Sequence, residues 1–151
     1  MELDALEAYA ADLLAALQPA ERAELARRIA ARLRQANVRR IAAQVAPDGS
    51  PFEPRRQQLR QRKGALRRSM FAKLRTARFL KARGTADAAV VAFTEQVSRI
   101  ARVHQFGLRD RVNRNTSLEA DYPARPLLGV SADDEALILE LSAAHLAGSR
   151  A

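Results

Sequence analysis

Apolar residues in the first part of the chain recur every three or four positions, which is the period of an amphipathic helix. The first stripe consists of Leu3, Leu6, Ala10, Leu13 and Leu17, and it predicts an N-terminal helix over residues 1–18. Pro19 is tolerated in the first turn of a helix and marks a restart. The second stripe, which predicts a long helix from Pro19 to about Val45, consists of Leu25, Ile29, Leu33, Ile41 and Val45.

The pattern breaks after this second helix. Three prolines and the pair Asp48-Gly49 predict a tight turn over residues 47–54, and Phe52 is its expected anchor on the fold. Residues 55–68 are basic and polar with almost no apolar positions, so they cannot bury enough surface to order themselves. The sequence therefore predicts a long basic loop over residues 47–69 that is mobile until it meets an acidic partner.

Shorter elements follow. Residues 79–83 and 89–93 are β-prone runs around a connection that contains glycine, and they predict a hairpin. Residues 97–104 return to helical spacing, and Gly107 is a helix stop. Residues 108–121 are expected to form an exposed arm or a further hairpin.

The last element has the clearest start signal. Ser131 is a good N-cap and acidic residues follow it in the first turn, while Gly148 ends the apolar pattern. Taken in order, the elements predict a single domain over residues 1–151 with an α+β fold. In that fold an N-terminal helical pair and a C-terminal helix pack on a small, mainly antiparallel β-sheet, with the long basic loop between them.

Charge is unevenly distributed along the chain, whose formal net charge is +9. Residues 1–24 sum to −5, residues 25–114 to +18 and residues 115–151 to −4. Between Arg55 and Arg83 there are 12 basic residues and no acidic one. A basic middle between acidic ends favours two kinds of partner, a polyanion such as nucleic acid or a neighbouring copy of the same chain.

Composition narrows the class of protein. The 151 residues include 32 alanines against 40 larger apolar residues, so the expected core is thin and a partner surface is expected to complete it. The absence of cysteine excludes disulfides and thiolate metal sites and favours a reducing compartment. No apolar run reaches the roughly 18 residues of a transmembrane helix, and the acidic start has the wrong sign for a secretory signal. We therefore expect no membrane association.

Signals of catalysis are weak. His104 and His145 lie 41 residues apart with no ligand partner at metal-binding spacing. No nucleophile elbow, phosphate loop or dinucleotide-binding glycine pattern is present. We predict that the protein is not an enzyme and has no catalytic, metal-binding or cofactor-binding residue, and that His104 is a core or interface residue.

The basic loop is the candidate surface for DNA or for an acidic partner. Arginine pairs bidentately with phosphate or carboxylate, but aromatic residues for base stacking are missing from the run, which disfavours sequence-specific binding. The candidate partner-facing or DNA-facing residues are Arg55, Arg56, Arg60, Arg62, Lys63, Arg67 and Arg68.

Several blocks of sequence, taken together and in order, are typical of one family. They are residues 41–44 (IAAQ), 48–55 (DGSPFEPR), 70–75 (MFAKLR), 99–108 (RIARVHQFGL) and 122–129 (YPARPLLG). With these blocks the chain resembles the tail completion protein S family of contractile-tailed bacteriophages, also called the phage virion morphogenesis family, over about residues 15–147.

The resemblance implies a structural virion protein that acts late in tail assembly. It implies a homo-oligomer, a ring that is usually hexameric, at the head-proximal end of the tail. Its partners would then be the tail tube or tail terminator on one side and the head-side neck or connector proteins on the other. Assembly is expected in the host cytoplasm, with a final location in the tail or neck of the virion. The family offers no catalytic residue and no cofactor.

Charge and expected exposure, rather than the family, supply the candidates for the subunit interface. These are Arg28, Arg32, Arg39, Arg109, Arg111, Asp133 and Asp134. A ring requires one face of each copy to meet a different face of the next, which acidic ends and a basic middle provide. The alternative hypothesis is a non-specific DNA-binding protein that uses residues 55–83.

Overall fold

A computed structural model describes residues 5, 8, 11, 17–55 and 69–148 of the chain. The elements of these residues are α1 (Pro19–Ala43), β1 (Leu80–Gly84), β2 (Ala89–Phe93), α2 (Glu95–Phe106), β3 (Arg109–Arg111), β4 (Glu119–Asp121) and α3 (Ala132–Gly148). The α+β class is confirmed. Within the described ranges the strands form two separate two-stranded sheets, β1–β2 and β3–β4, instead of a single sheet.

Two of the predicted segments fall largely outside these ranges. Most of the predicted N-terminal helix, and residues 56–68 of the predicted basic loop, lie outside the described residues. The part of the loop that is described, residues 47–55, contains Phe52, which is 6% exposed and is the anchor that the sequence predicted. The prediction of a single domain stays a prediction.

The long helix α1 ends two residues earlier than its apolar stripe predicts. Gln44 adopts a left-handed backbone with φ of 60°, so the helical hydrogen bonding stops at Ala43. The Val45 amide donates to the carbonyl of Arg40 at 3.0 Å and the Gln44 amide donates to that of Ile41 at 3.1 Å. These two bonds satisfy the last carbonyls of the helix in the Schellman arrangement, with glutamine in the place usually taken by glycine.

Helix α2 ends in the same way, and here glycine is the residue that the geometry favours. Gly107 has φ of 64° and its amide donates to the carbonyl of Val103. A Cβ at this position would also lie 2.7 Å from the backbone nitrogen of Ala124. The chain then turns into an antiparallel hairpin in which Asp110 of β3 lies opposite Ala120 of β4.

The chain divides into two compact units. We call residues 34–81 and 92–131 the core unit, and residues 1–33, 82–91 and 132–151 the helical unit. Large side chains fill the core unit: its hydrophobic cluster consists of Ile41, Ala46, Phe52, Leu74, Ala101 and Leu127. The three largest fully buried side chains of the described residues, Ile41, Leu80 and Leu127, all belong to it.

Small residues fill the described part of the helical unit. Its buried apolar residues there are Leu17, Ala26 and Ala30. Gly84 of β1 packs directly on the backbone of α1, because a Cβ at this glycine would lie only 2.2 Å from the backbone nitrogen of Arg27. None of the helices in the described ranges is long and apolar enough to span a membrane.

Candidate functional site

The core unit contains a cavity of about 710 Å³. Segments that are distant in the sequence line it: Arg55, the turn at residues 70–74, helix α2 and the chain that leaves β4. The side chains on its wall are mostly apolar or aromatic, with two arginines and one aspartate among them. The lining residues are Arg55, Met70, Phe71, Leu74, Ile100, His104, Ala120, Asp121, Tyr122, Pro123 and Arg125.

A row of aromatic rings runs from the hydrophobic core to the cavity. The ring centroids of Phe52 and Phe71 are 5.8 Å apart, those of Phe71 and His104 are 4.8 Å apart, and those of His104 and Tyr122 are 5.2 Å apart. All three contacts are edge-to-face, the arrangement that the ring quadrupoles favour. The row gives the cavity a rigid wall that is anchored in the core.

Phe71 occupies its place in this row through an unusual backbone conformation. Its φ is +64°, a left-handed value that costs a bulky residue about 1–3 kcal/mol. The preceding residue, Met70, is held by the side-chain amide of Gln44. That amide donates to the carbonyl of Met70 at 3.0 Å, and its oxygen accepts from the amide of Met70 at 3.1 Å. The surrounding structure therefore fixes a strained turn at the wall of the cavity.

A buried arginine ties the opposite wall together. Arg125 is 4% exposed. Its guanidinium donates to the carbonyl of Glu53 at 2.6 Å and to that of Pro54 at 3.0 Å, and its Nη1 lies 3.4 Å from Nδ1 of His104. Its backbone amide also donates to the carbonyl of His104 at 2.6 Å. Desolvation on burial lowers the pKa of Arg125, but a guanidinium remains charged throughout the physiological range.

The same contacts keep His104 neutral. Burial lowers the pKa of His104 below its ordinary value, and the positive charges of Arg125 and Arg55 lower it further. A guanidinium only donates hydrogen bonds, so Nδ1 of His104 accepts from Arg125 and the ring proton is assigned to Nε2. His104 is therefore a neutral, partly buried aromatic residue in contact with its neighbours, as the sequence predicted.

Three further polar side chains hold the segment that follows Arg125 by hydrogen bonds. Oε1 of Gln105 accepts from the amides of Leu127 and Leu128 at 2.8 and 3.0 Å, and its Nε2 donates to the carbonyl of Leu128 at 3.0 Å. Oδ1 of Asn37 accepts from the amide of Gly129 at 3.2 Å, and Arg40 donates to the carbonyl of Gly129 at 2.9 Å. All five sequence blocks that resemble the phage family thus lie in the core unit, where hydrogen bonds from Gln44, Gln105 and Arg125 hold three of them.

The hairpin β3–β4 has two different faces. One carries charged side chains, among them the exposed Arg109, which pairs with Glu119 at 3.0 Å. On the other face the Asp110 carboxylate pairs with Arg99 of α2, and this pairing lowers the pKa of Asp110. Beyond the pair, Val112 and Leu118 stand 52% and 65% exposed. Exposed ion pairs of this kind contribute little to stability. The two exposed apolar side chains form an apolar surface at the tip of the hairpin.

The predicted interface residues occupy separate surfaces. Arg28, Arg32 and Arg39 are exposed on one face of α1, since they stand four and seven positions apart. Arg109 and Arg111 are exposed on the hairpin, and Asp133 is exposed at the start of α3. The neighbouring Asp134 is 3% exposed. Its carboxylate is buried in the fold, so it does not offer an accessible charge to a neighbouring subunit.

Of the predicted partner-facing arginines, only Arg55 lies within the described residues, where it is exposed on the wall of the cavity. The other six, Arg56, Arg60, Arg62, Lys63, Arg67 and Arg68, lie outside them. The alternative hypothesis of DNA binding by residues 55–83 also includes residues 69–83, which are described. The exposed basic residues in this range are Lys73, Arg78, Lys81 and Arg83.

Sequence reasoning missed the residues that build the site. Gln44, Gln105 and Arg125 stand inside the quoted blocks, each next to apolar positions, and that placement was the available signal of a buried polar residue. No part of the described chain holds a group of three or more His, Cys, Asp or Glu side chains that could bind a metal ion. The geometry is that of a mostly apolar cavity with an aromatic wall and a few charged side chains.

Comparison with known proteins identifies the family of the chain. The family model for the phage virion morphogenesis family matches residues 1–147. Tail completion protein S of Escherichia phage P2 is 47% identical over 136 residues, which cover 89% of this chain and 90% of that protein. A search of solved structures returns no significant match.

Proposed function

The chain belongs to the phage virion morphogenesis family, and we propose that it is a structural protein of a bacteriophage tail. In this proposal it completes the head-proximal end of the tail and supports the joining of tail to head. The observation that carries the proposal is the 47% identity to a protein named for tail completion, across nine-tenths of both chains.

The form of the site supports a structural role. Its polar side chains donate hydrogen bonds to backbone carbonyls of the same chain. Gln44 donates to Met70, Gln105 to Leu128 and Arg125 to Glu53. At the cavity, Ile100 remains 48% exposed, and exposed apolar surface of this kind is a mark of an interaction surface when it is continuous. A protein that completes the end of a tail needs surfaces of this kind to bind its several partners.

A ring at the tail end is the finer part of the proposal. Residues 25–114 carry +18, while the two ends of the chain carry −5 and −4. Such a distribution favours contacts in which one face of a copy meets a different face of the next, and a closed set of these contacts is a ring. A sixfold ring would match the symmetry that the family resemblance implies, and its partners would be the tail end and the head-side connector.

The decisive experiment removes the chain from the phage that encodes it and restores it from a plasmid. The proposal predicts that filled heads and unjoined tails accumulate without the chain, and that infectious particles return with it. A plasmid encoding Gln96→Ala, an exposed position of α2 that does not line the cavity, serves as the matched control and should restore joining. Normal yields of joined particles in the absence of the chain would contradict the proposal.

The exposed cations of residues 69–83 favour a second candidate, non-specific binding to DNA. Lys73, Arg78, Lys81 and Arg83 add to the basic residues of 56–68 without an intervening acid. DNA binding by phosphate contacts predicts that log K falls with log salt with a slope of about −0.9 per phosphate neutralised. Reversing the charge at Arg60, Arg62 and Lys63 should then reduce this slope, whereas the structural role predicts impaired joining with unchanged DNA affinity.

A further inference from the structure

We propose that the cavity of the core unit receives the outer face of α3 from a second copy of the chain, with Leu139 as the inserted side chain. This inference rests on the proposed function, because it names the contact by which copies would associate. It shares α3 with two of the sequence-based candidates, Asp133 and Asp134, and differs from the others, which are arginines of α1 and of the hairpin.

The cavity is suited to an apolar side chain. Its volume of about 710 Å³ lies within the roughly 300–1,000 Å³ range of pockets that enclose most of a bound group. The rings of Phe71 and Tyr122 and the side chain of Ile100 supply apolar wall. Ile100 itself is 48% exposed, so the wall continues to the surface and a helix could lie across the opening.

Helix α3 carries apolar residues on its outward side as well as its inward side. Leu139 is 70% exposed, more than any other large apolar residue in the described ranges. Exposed alanines flank it one turn away in each direction, at Ala136 and Ala143. The small flanking residues allow another surface to approach Leu139 closely.

The charges of α3 and of the cavity lining are complementary, which favours the cavity as the site where this face docks. Helix α3 contains four acidic residues and no lysine or arginine, and Asp133, Glu135 and Glu140 are exposed. The cavity is lined by Arg55 and Arg125 against one carboxylate, that of Asp121. The described lining of the cavity therefore has a net positive charge, and an acidic helix is attracted to it in a fixed orientation.

The two faces are different, so the contact is heterologous. Each copy would offer one cavity and one α3 face, and repetition of the contact produces a closed ring or a filament.

Sedimentation of the full chain tests the proposal. Leu139→Asp places a charge on the inserted side chain, and Ala120→Trp fills the cavity from its wall; each should weaken self-association about thirtyfold, the effect of losing a central contact. Ala31→Asp is the matched control, because Ala31 is an exposed apolar residue on a helix, α1, that also carries the earlier interface candidates. It should associate like the wild type.

Cysteine pairing gives a second readout that does not depend on the stability of Ala120→Trp. The chain contains no cysteine, so a disulfide between an Ala143→Cys copy and an Ala120→Cys copy can only join two molecules. The proposal predicts this mixed dimer under mild oxidation, and predicts none when Ala31→Cys replaces Ala143→Cys.

Three results would overturn the docking: a wild-type chain that stays monomeric, Leu139→Asp that associates normally, or Ala31→Asp that is the damaging variant. Failure of the docking is distinguishable from failure of the proposed function. If Leu139→Asp both associates and restores joined particles, the docking is wrong and the tail role stands. If joined particles form without the chain at all, the tail role is wrong.

Discussion

The core unit is filled by branched and aromatic side chains, whereas the described part of the helical unit is filled by alanine, one leucine and a glycine packed on a helix backbone. In the core unit, buried amides and a buried guanidinium bind backbone groups from other segments. In the helical unit, the exposed face of α3 carries Leu139 and alanines next to acidic residues. The core unit is therefore held by more contacts of large side chains than the described part of the helical unit, although both units expose apolar side chains to a neighbour.

This difference indicates how one chain serves as a building block. A region with its own core can display a cavity of fixed shape, because packed interiors resist deformation. A region whose buried side chains are small gains more stability from a partner surface, because the partner buries apolar area that the region itself leaves exposed. The predictions below test each side of the comparison.

The largest effect is expected from Gly84→Val in the helical unit. A Cβ at this position would lie 2.2 Å from the Arg27 nitrogen and 2.5 Å from the Ala26 carbonyl carbon, so strand and helix must separate. We expect the free energy of unfolding to fall by about 4 kcal/mol, measured by urea denaturation. Gly148→Ala, where no atom lies within 4 Å, should change it by less than about 0.5 kcal/mol. Equal losses for both variants would contradict the close packing of β1 on α1.

In the core unit, Leu127→Ala should be the most damaging truncation of a single side chain. Leu127 is 1% exposed, and removal of a buried leucine side chain costs about 3 kcal/mol through lost burial and the cavity left behind. Leu118→Ala, at a leucine that is 65% exposed, is the control and should be nearly neutral. The same denaturation experiment measures both. Similar small losses would mean that the core unit is less well packed than described.

A smaller loss is expected from Arg125→Met, which keeps an unbranched apolar stem but removes the guanidinium and its hydrogen-bond donors. The carbonyls of Glu53 and Pro54 lose their partners, at a cost of about 2 kcal/mol. Removal of the positive charge should also raise the pKa of His104, because Arg125 is one of the groups that lower it. Titration of the His104 ring by NMR checks this shift. Arg125→Lys should recover only part of the stability, since lysine has no fork to bridge two carbonyls.

The smallest effect is the dependence of stability on pH through His104. Its pKa in the folded chain lies below the ordinary value of 6.5, so the unfolded chain takes up the proton first as the pH falls. Stability is then lost as the pH drops from about 6.5 through the folded pKa. His104→Phe keeps an aromatic ring next to Phe71 and Tyr122 and should flatten this part of the curve. An identical pH profile for His104→Phe and the wild type would show that His104 does not carry the effect.

The sequence alone predicted most of the helices and strands, but it did not predict which residues build the cavity. Periodicity placed α1 and both hairpins within a few residues, because apolar spacing and glycine act locally. It placed the end of α1 at Val45 instead of Ala43 because a left-handed glutamine at residue 44 carries no local signal.

The cavity could not be read in advance because its walls come from segments that are far apart in the chain. Arg125, for example, stands in a proline-rich stretch that reads as exposed, yet it reaches the carbonyl of Glu53, 72 positions away. Its burial follows from tertiary contacts and not from its neighbours in the sequence. The same is true of Asp134, which the sequence offered as an accessible acidic residue and which the chain buries.

Electron cryomicroscopy of tails purified before joining is the most direct test of the central claim. The account predicts copies of this chain at the head-proximal end, closed around the tail axis, with α3 of each copy lying in the cavity of the next. Tails that are competent to join heads and yet lack density for the chain at that end would contradict it.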